Sequence, residues 1–213
     1  MNRKLAWLSV YAIAMAALEA IVVVYLRMLY YPEDVRLIFP LKFMAELDFV
    51  LELGREAATV AMILAVAALS EWESRGRLFA AFVYVFGVWD VFYYIWLKVM
   101  IGWPISWLEW DVLFLIPWIW LGPWICPVMI ALLFIVWGSR TLRFSGSGSF
   151  SKIALVLFVG GSILCIVTFL QPAIPILVTE GVEGMQDFVP TTFWWWLFLP
   201  GYGLMMAGMA RAR

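Results

Sequence analysis

Apolar residues run through this chain in long unbroken stretches, not in the alternating or three-four pattern of a soluble fold. A membrane-crossing helix needs about 20 residues, and the runs 5–26, 78–100, 112–137 and 153–170 have that scale. The run 193–210 is shorter and broken by Pro200-Gly201, but Trp194, Trp195 and Trp196 anchor one end at an interface. The stretch 47–69 is the informative one. Its purely apolar part, 57–69, covers only about 20 Å of a ~30 Å hydrocarbon core. To cross, the helix must extend back to Leu47, which carries Glu52, Arg55 and Glu56 into the membrane. The pattern predicts an all-α, polytopic bundle of about six transmembrane helices, forming a single domain over 1–213.

Basic residues orient it. The N-terminus, the loops after the second and fourth spans and the C-terminus hold Arg3, Lys4, Arg75, Arg77, Arg140, Arg143, Lys152, Arg211 and Arg213 against Glu71 and Glu73. The opposite side has Arg27, Arg36, Lys42 and Lys98 against Glu33, Asp34, Glu46, Asp48, Glu109, Asp111, Glu180, Glu183 and Asp187. The positive-inside rule then puts both termini in the cytoplasm and the protein in the plasma (inner) membrane. The connectors are short. Residues 145–151 (SGSGSFS) read as a flexible cytoplasmic link. Trp103, Trp107 and Trp110 share one helical face, predicting a short helix over 102–111 in the outer interface. The segment 171–192 reads as an irregular outer loop. Pro117, Pro123 and Pro127 should kink or unwind the fourth span. Gly203 and Ala207 form a small-xxx-small pair on the last helix.

Once both faces are accounted for, Glu19, Glu52, Arg55, Glu56 and Asp90 remain as a buried charged cluster. From the helical rise, Glu19 lies about 12 Å below Arg27, Glu56 about 13.5 Å below Leu47 and Asp90 about 15 Å below Met100. Those depths bring the three carboxylates and the Arg55 guanidinium to one level, near midplane and toward the outer side, with Glu52 shallower. Asp48, Glu52, Arg55 and Thr59 form a polar stripe on the second span; Asp90, Tyr94 and Lys98 form another on the third. With Arg27 and Asp111, the residues Asp48, Tyr94 and Lys98 are the access and supporting positions. A charge at the bilayer centre costs at least ~2.5–3.5 kcal/mol on insertion scales and usually faces a bundle interior. The surplus of acids over Arg55 must be relieved by protonation, by a bound cation, by Arg27 or Lys98 reaching inward, or by water entering from outside.

Composition narrows the chemistry. The chain contains no histidine, which removes His-ligated haem, His-ligated zinc and copper, and His acid–base catalysis. No cofactor is expected, and a metal would be a hard cation (Ca, Mg or Mn) on oxygen ligands. Cys126 and Cys165 lie inside apolar runs and read as buried hydrophobes. A net charge of −1 calls for no nucleic-acid partner. The lipid bilayer is the expected partner, with partner subunits or a homo-oligomer left open. Three function classes fit these residues. The first is proton or cation handling at the buried cluster. The second is a non-catalytic membrane subunit of a larger complex. The third is an integral-membrane enzyme acting on a lipid-type substrate from the outer leaflet. Below Glu56 and Asp90 the second and third spans run apolar, so a one-sided pocket fits better than a path through the membrane.

Overall fold

A computed structural model describes residues 3–144 and 147–212; Ser145, Gly146 and Arg213, which figure in the connector and the charge distribution above, lie outside the described residues. The chain is mostly helical. Its elements are α1 (Arg3–Tyr30), α2 (Glu46–Glu71), α3 (Arg75–Ile101), β1 (Trp110–Phe114), β2 (Trp120–Pro123), α4 (Ile125–Arg143), α5 (Lys152–Leu170), α6 (Ile174–Thr179) and α7 (Trp195–Arg211), with a 3-10 turn at Val182–Met185 before α7. Four of the helices, α1, α3, α4 and α5, are long and apolar enough to cross a membrane.

Successive long helices alternate in direction. The start of α1 meets the end of α2 through Lys4 and Glu71 (2.8 Å), and Arg77 near the start of α3 bonds Glu71 at 2.9 Å and the Thr141 carbonyl of α4 at 3.3 Å. Hydrogen bonds from Arg77 above all, and from Lys4, hold the Glu71 carboxyl below its ordinary range. We call this the termini end. Capping serines start two helices: Ser74 accepts the Arg77 amide proton and Ser151 that of Ala154. The apolar core between α1, α2, α3 and α4 is built on small residues, among them Ala12, Ala16, Ala67, Ala80 and Ala81, all buried. α5 and α7 pack backbone to backbone. A Cβ on Gly161 would fall 2.4 Å from the Gly201 carbonyl, and one on Gly208 would fall 2.6 Å from the Phe158 nitrogen. Gly203, by contrast, has open space around it, so the small-residue contact runs through Gly161, Gly201 and Gly208 and not through Gly203 and Ala207.

The opposite end departs from a bundle made only of helices. Residues 112–124, expected as the first half of a fourth span, form an antiparallel hairpin in which Asp111 pairs with Gly122 and Val112 with Leu121. An apolar run of this length reads equally as helix or strand by periodicity. Here Pro117, which lacks an amide proton, sits in the turn, and Pro123 ends β2. Pro127 falls in the first turn of α4, where its missing N–H is harmless. The prolines therefore lie outside the interior of α4 instead of kinking it. β2 leans on α5 through the stacked Trp120 and Phe169 rings (centroids 6.1 Å apart).

The segment 102–109 is likewise not a helix. Gly102 ends α3 in the left-handed region (φ 72°), and its N–H reaches the Lys98 carbonyl. The Glu109 carboxylate then accepts the amide protons of Ile105 (2.5 Å) and Ser106 (3.1 Å), closing a turn. Trp103 is fully buried while Trp107 is exposed, so the tryptophans do not share one face. The segment 171–192 holds α6 and the 3-10 turn. It is tied to the loop after α1 by backbone bonds between Leu41 and Asp187/Phe188, and by Lys42 on Asp187 (2.6 Å).

Candidate functional site

At the hairpin end, α1 supplies Glu19 and, two turns on, Arg27. α2 supplies Glu52, Arg55 and Glu56, which the helical period places side by side. α3 supplies Asp90 and, one turn on, Tyr94; β1 supplies Asp111. All eight line a single cavity of about 670 Å³. Its rim is made by the loop after α1, the turn of the hairpin and the stretch from Leu177 to Met185. Toward the termini end the cavity is closed by packed side chains, with Ile63, Ala67 and Val85 inaccessible.

The charges are arranged in three groups. Arg55 is the centre of the first: its Nη1 pairs with Glu19, its Nη2 with Glu52, and its Nε donates to Glu52 at 2.8 Å. The Thr59 hydroxyl donates to the other Glu19 oxygen at 3.1 Å. This is a planar guanidinium used on two edges, a geometry an ammonium could not reproduce. It also joins α1 to α2, which otherwise approach each other little.

Arg27 is the centre of the second group. Its Nη2 lies 3.6 Å from Asp111, its guanidinium sits 4.1 Å above the Trp103 ring, and the Tyr94 hydroxyl donates to Asp111 at 3.0 Å. Glu56 makes the third, taking the Leu115 amide proton on both oxygens at 2.9 and 3.0 Å.

Asp90 belongs to none of these. Its Oδ2 is buried and has no hydrogen-bond partner among the described residues, and the neighbouring Trp89 Nε1 is in the same state. The cavity thus carries five buried carboxylates and two guanidiniums, while Glu46 and Lys42 add one charge of each sign at the rim. Among the described residues, no three acidic or cysteine side chains converge as a metal site.

Two supporting positions lie elsewhere. Lys98 does not reach inward; its ammonium donates to the Gly102 and Pro104 carbonyls at 3.0 and 2.7 Å. It lines a smaller cavity of about 370 Å³ with Trp107 and Trp124. Its position at the end of α3 puts carbonyl oxygens nearer than any buried acid. Asp48 does not line the cavity; it takes the proton of the Tyr30 hydroxyl, which does, at 2.5 Å, and so ties the end of α1 to the start of α2. The Leu115 amide and the Trp103 ring are parts of the site that residue type alone did not mark. A charge count finds charges, whereas an N–H and an indole face enter the site only through the hairpin and the loop that place them.

No protein-family model matches the chain, and comparisons with curated proteins and with solved structures find no match.

Proposed function

We propose that this chain is an integral membrane protein with six spans and both termini in the cytoplasm, handling protons or cations in the cavity at its outward end. The observation that carries the reading is the surplus of acid: five buried carboxylates and two guanidiniums on one cavity, with the Asp90 Oδ2 left without a partner among the described residues. Networks that only hold helices together pair their charges, because an unpaired buried charge is expensive. A surplus that persists calls for a mobile positive charge, a proton or a cation.

The nine-to-four division of basic residues between the two sides supports the orientation. The packed floor favours exchange with one side only, so the pocket takes up and releases its charge from outside. The hairpin is non-helical backbone, and such backbone is tolerated at membrane depth where protein or a cavity surrounds it, as the cavity does here.

Infrared spectroscopy of the purified protein tests the reading. Carboxyl and carboxylate bands should respond to pH across the neutral range or to added sodium or calcium, and Asp90→Asn should remove one responding band. Bands that respond to neither would overturn it.

A further inference from the structure

We propose that the cavity binds an amphipathic organic cation, an ammonium head on an apolar body, with the head on the Asp90 carboxylate. This rests on the cation reading above and names the class of cation.

The charges already spoken for decide where the head goes. Arg55 occupies Glu19 and Glu52, Arg27 and Tyr94 occupy Asp111, and the Leu115 amide occupies Glu56. Among the described carboxylates that line the cavity, Asp90 alone keeps a buried oxygen with nothing donating to it. The rings around it suit a cation. Trp89 and Tyr93 stack at 6.3 Å and 26°, Tyr94 stands edge-on to Tyr93 at 5.0 Å, and all line the same cavity. Tyr93 and Tyr94 lie three and four residues beyond Asp90, the spacing that puts side chains on one helical face. A carboxylate beside aromatic faces is the chemistry that recognises ammonium groups.

Size and wall chemistry exclude a bare ion as the occupant that fills the space. About 670 Å³ would hold roughly twenty waters at ~30 Å³ each. It falls within the about 300–1,000 Å³ typical of small-molecule pockets. Val23, Leu53, Leu113 and Phe114 supply apolar wall. A calcium ion would want about six to eight oxygen ligands, and among the described residues no three acidic side chains converge to supply them. An anionic head would meet a surplus of carboxylates.

The test is calorimetry on the whole protein in phosphatidylcholine nanodiscs, with heats from empty discs subtracted. The probes are n-octylammonium, octan-1-ol and octanoate. Octylammonium should bind saturably at one site, octan-1-ol more weakly and octanoate not at all. Asp90→Asn should weaken octylammonium at least about tenfold. Equal binding of octylammonium and octan-1-ol, or an Asp90→Asn protein that binds like the wild type, would overturn the proposal. Should Asp90→Asn fail to fold, the order of the three probes on the wild type decides alone, and any order without the ammonium first overturns it. Infrared bands that answer to pH, sodium or calcium while octylammonium does not bind would overturn this inference and leave the cation reading standing. Silence toward all of them would overturn both.

Discussion

The Glu56 carboxylate of α2 holds the Leu115 amide of the hairpin turn on both its oxygens, at 2.9 and 3.0 Å. A side chain ten residues into a helix therefore fixes the tip of a hairpin that belongs to a different part of the chain. Hydrogen bonds to charged groups contribute about 1.5–3 kcal/mol, so the bond decides whether the turn stays docked. Glu56→Ala should speed amide exchange across 112–119 roughly tenfold or more, with Glu56→Gln between it and the wild type. Unchanged exchange in Glu56→Ala would mean that apolar packing alone seats the hairpin.

Arg55 carries a second prediction. Replacing it by methionine leaves Glu19 and Glu52 buried without their partner, and breaking a buried pair in this way costs about 3–5 kcal/mol. Arg55→Met should lower the melting temperature in detergent by several degrees. Arg55→Lys should recover only part of the loss, because an ammonium cannot serve both carboxylates with a planar fork. The triple change Glu19→Gln, Glu52→Gln, Arg55→Met should melt closer to the wild type than Arg55→Met does, since it removes the stranded charges as well. A triple variant less stable than the single one would show that the network is not the source of the effect.

The charged cluster was legible because charge inside an apolar run has few places to go. The helical rise levelled Glu19 with Arg55, and the two meet. The hairpin was not legible. Residues 112–124 are as apolar as a span, and what separates strand from helix there is the Pro117 turn together with a partner for the Leu115 amide on α2. The second is a tertiary contact with no trace in local pattern. That Lys98 stands apart from the main cavity was not legible for a related reason. Its helical face points along the Asp90 stripe, but its long stem lets the ammonium turn to the nearer Gly102 and Pro104 carbonyls.

Orientation is checked by labelling. Ser106 and Ser147 are both exposed and lie in the loops of opposite ends, and the native Cys126 and Cys165 are buried and give little background. In intact cells, a membrane-impermeant maleimide should modify Ser106→Cys and leave Ser147→Cys untouched until the membrane is opened. The reverse pattern would place the cavity in the cytoplasmic half and remove the outward-facing part of the proposed function.

The termini end supplies a prediction about pH. Arg77 and Lys4 both donate to Glu71, at 2.9 and 2.8 Å, and lower its pKa in the folded chain. In the unfolded chain the carboxyl returns to its ordinary value of about 4.3. A group depressed by folding contributes stability that is fully present above the unfolded value and is lost as pH falls through the folded one. The contribution is therefore complete at neutral pH and fades on the acid side, below about pH 5. Glu71→Gln should melt lower than the wild type at pH 7, and the gap should narrow as the pH is brought toward 4. High salt should shrink the gap only in part, because Glu71 is largely buried while Lys4 is exposed. A gap that stays constant from pH 7 to 4 would show that Glu71 acts through packing and neutral hydrogen bonds, and that its charge does not join α1, α2 and α3.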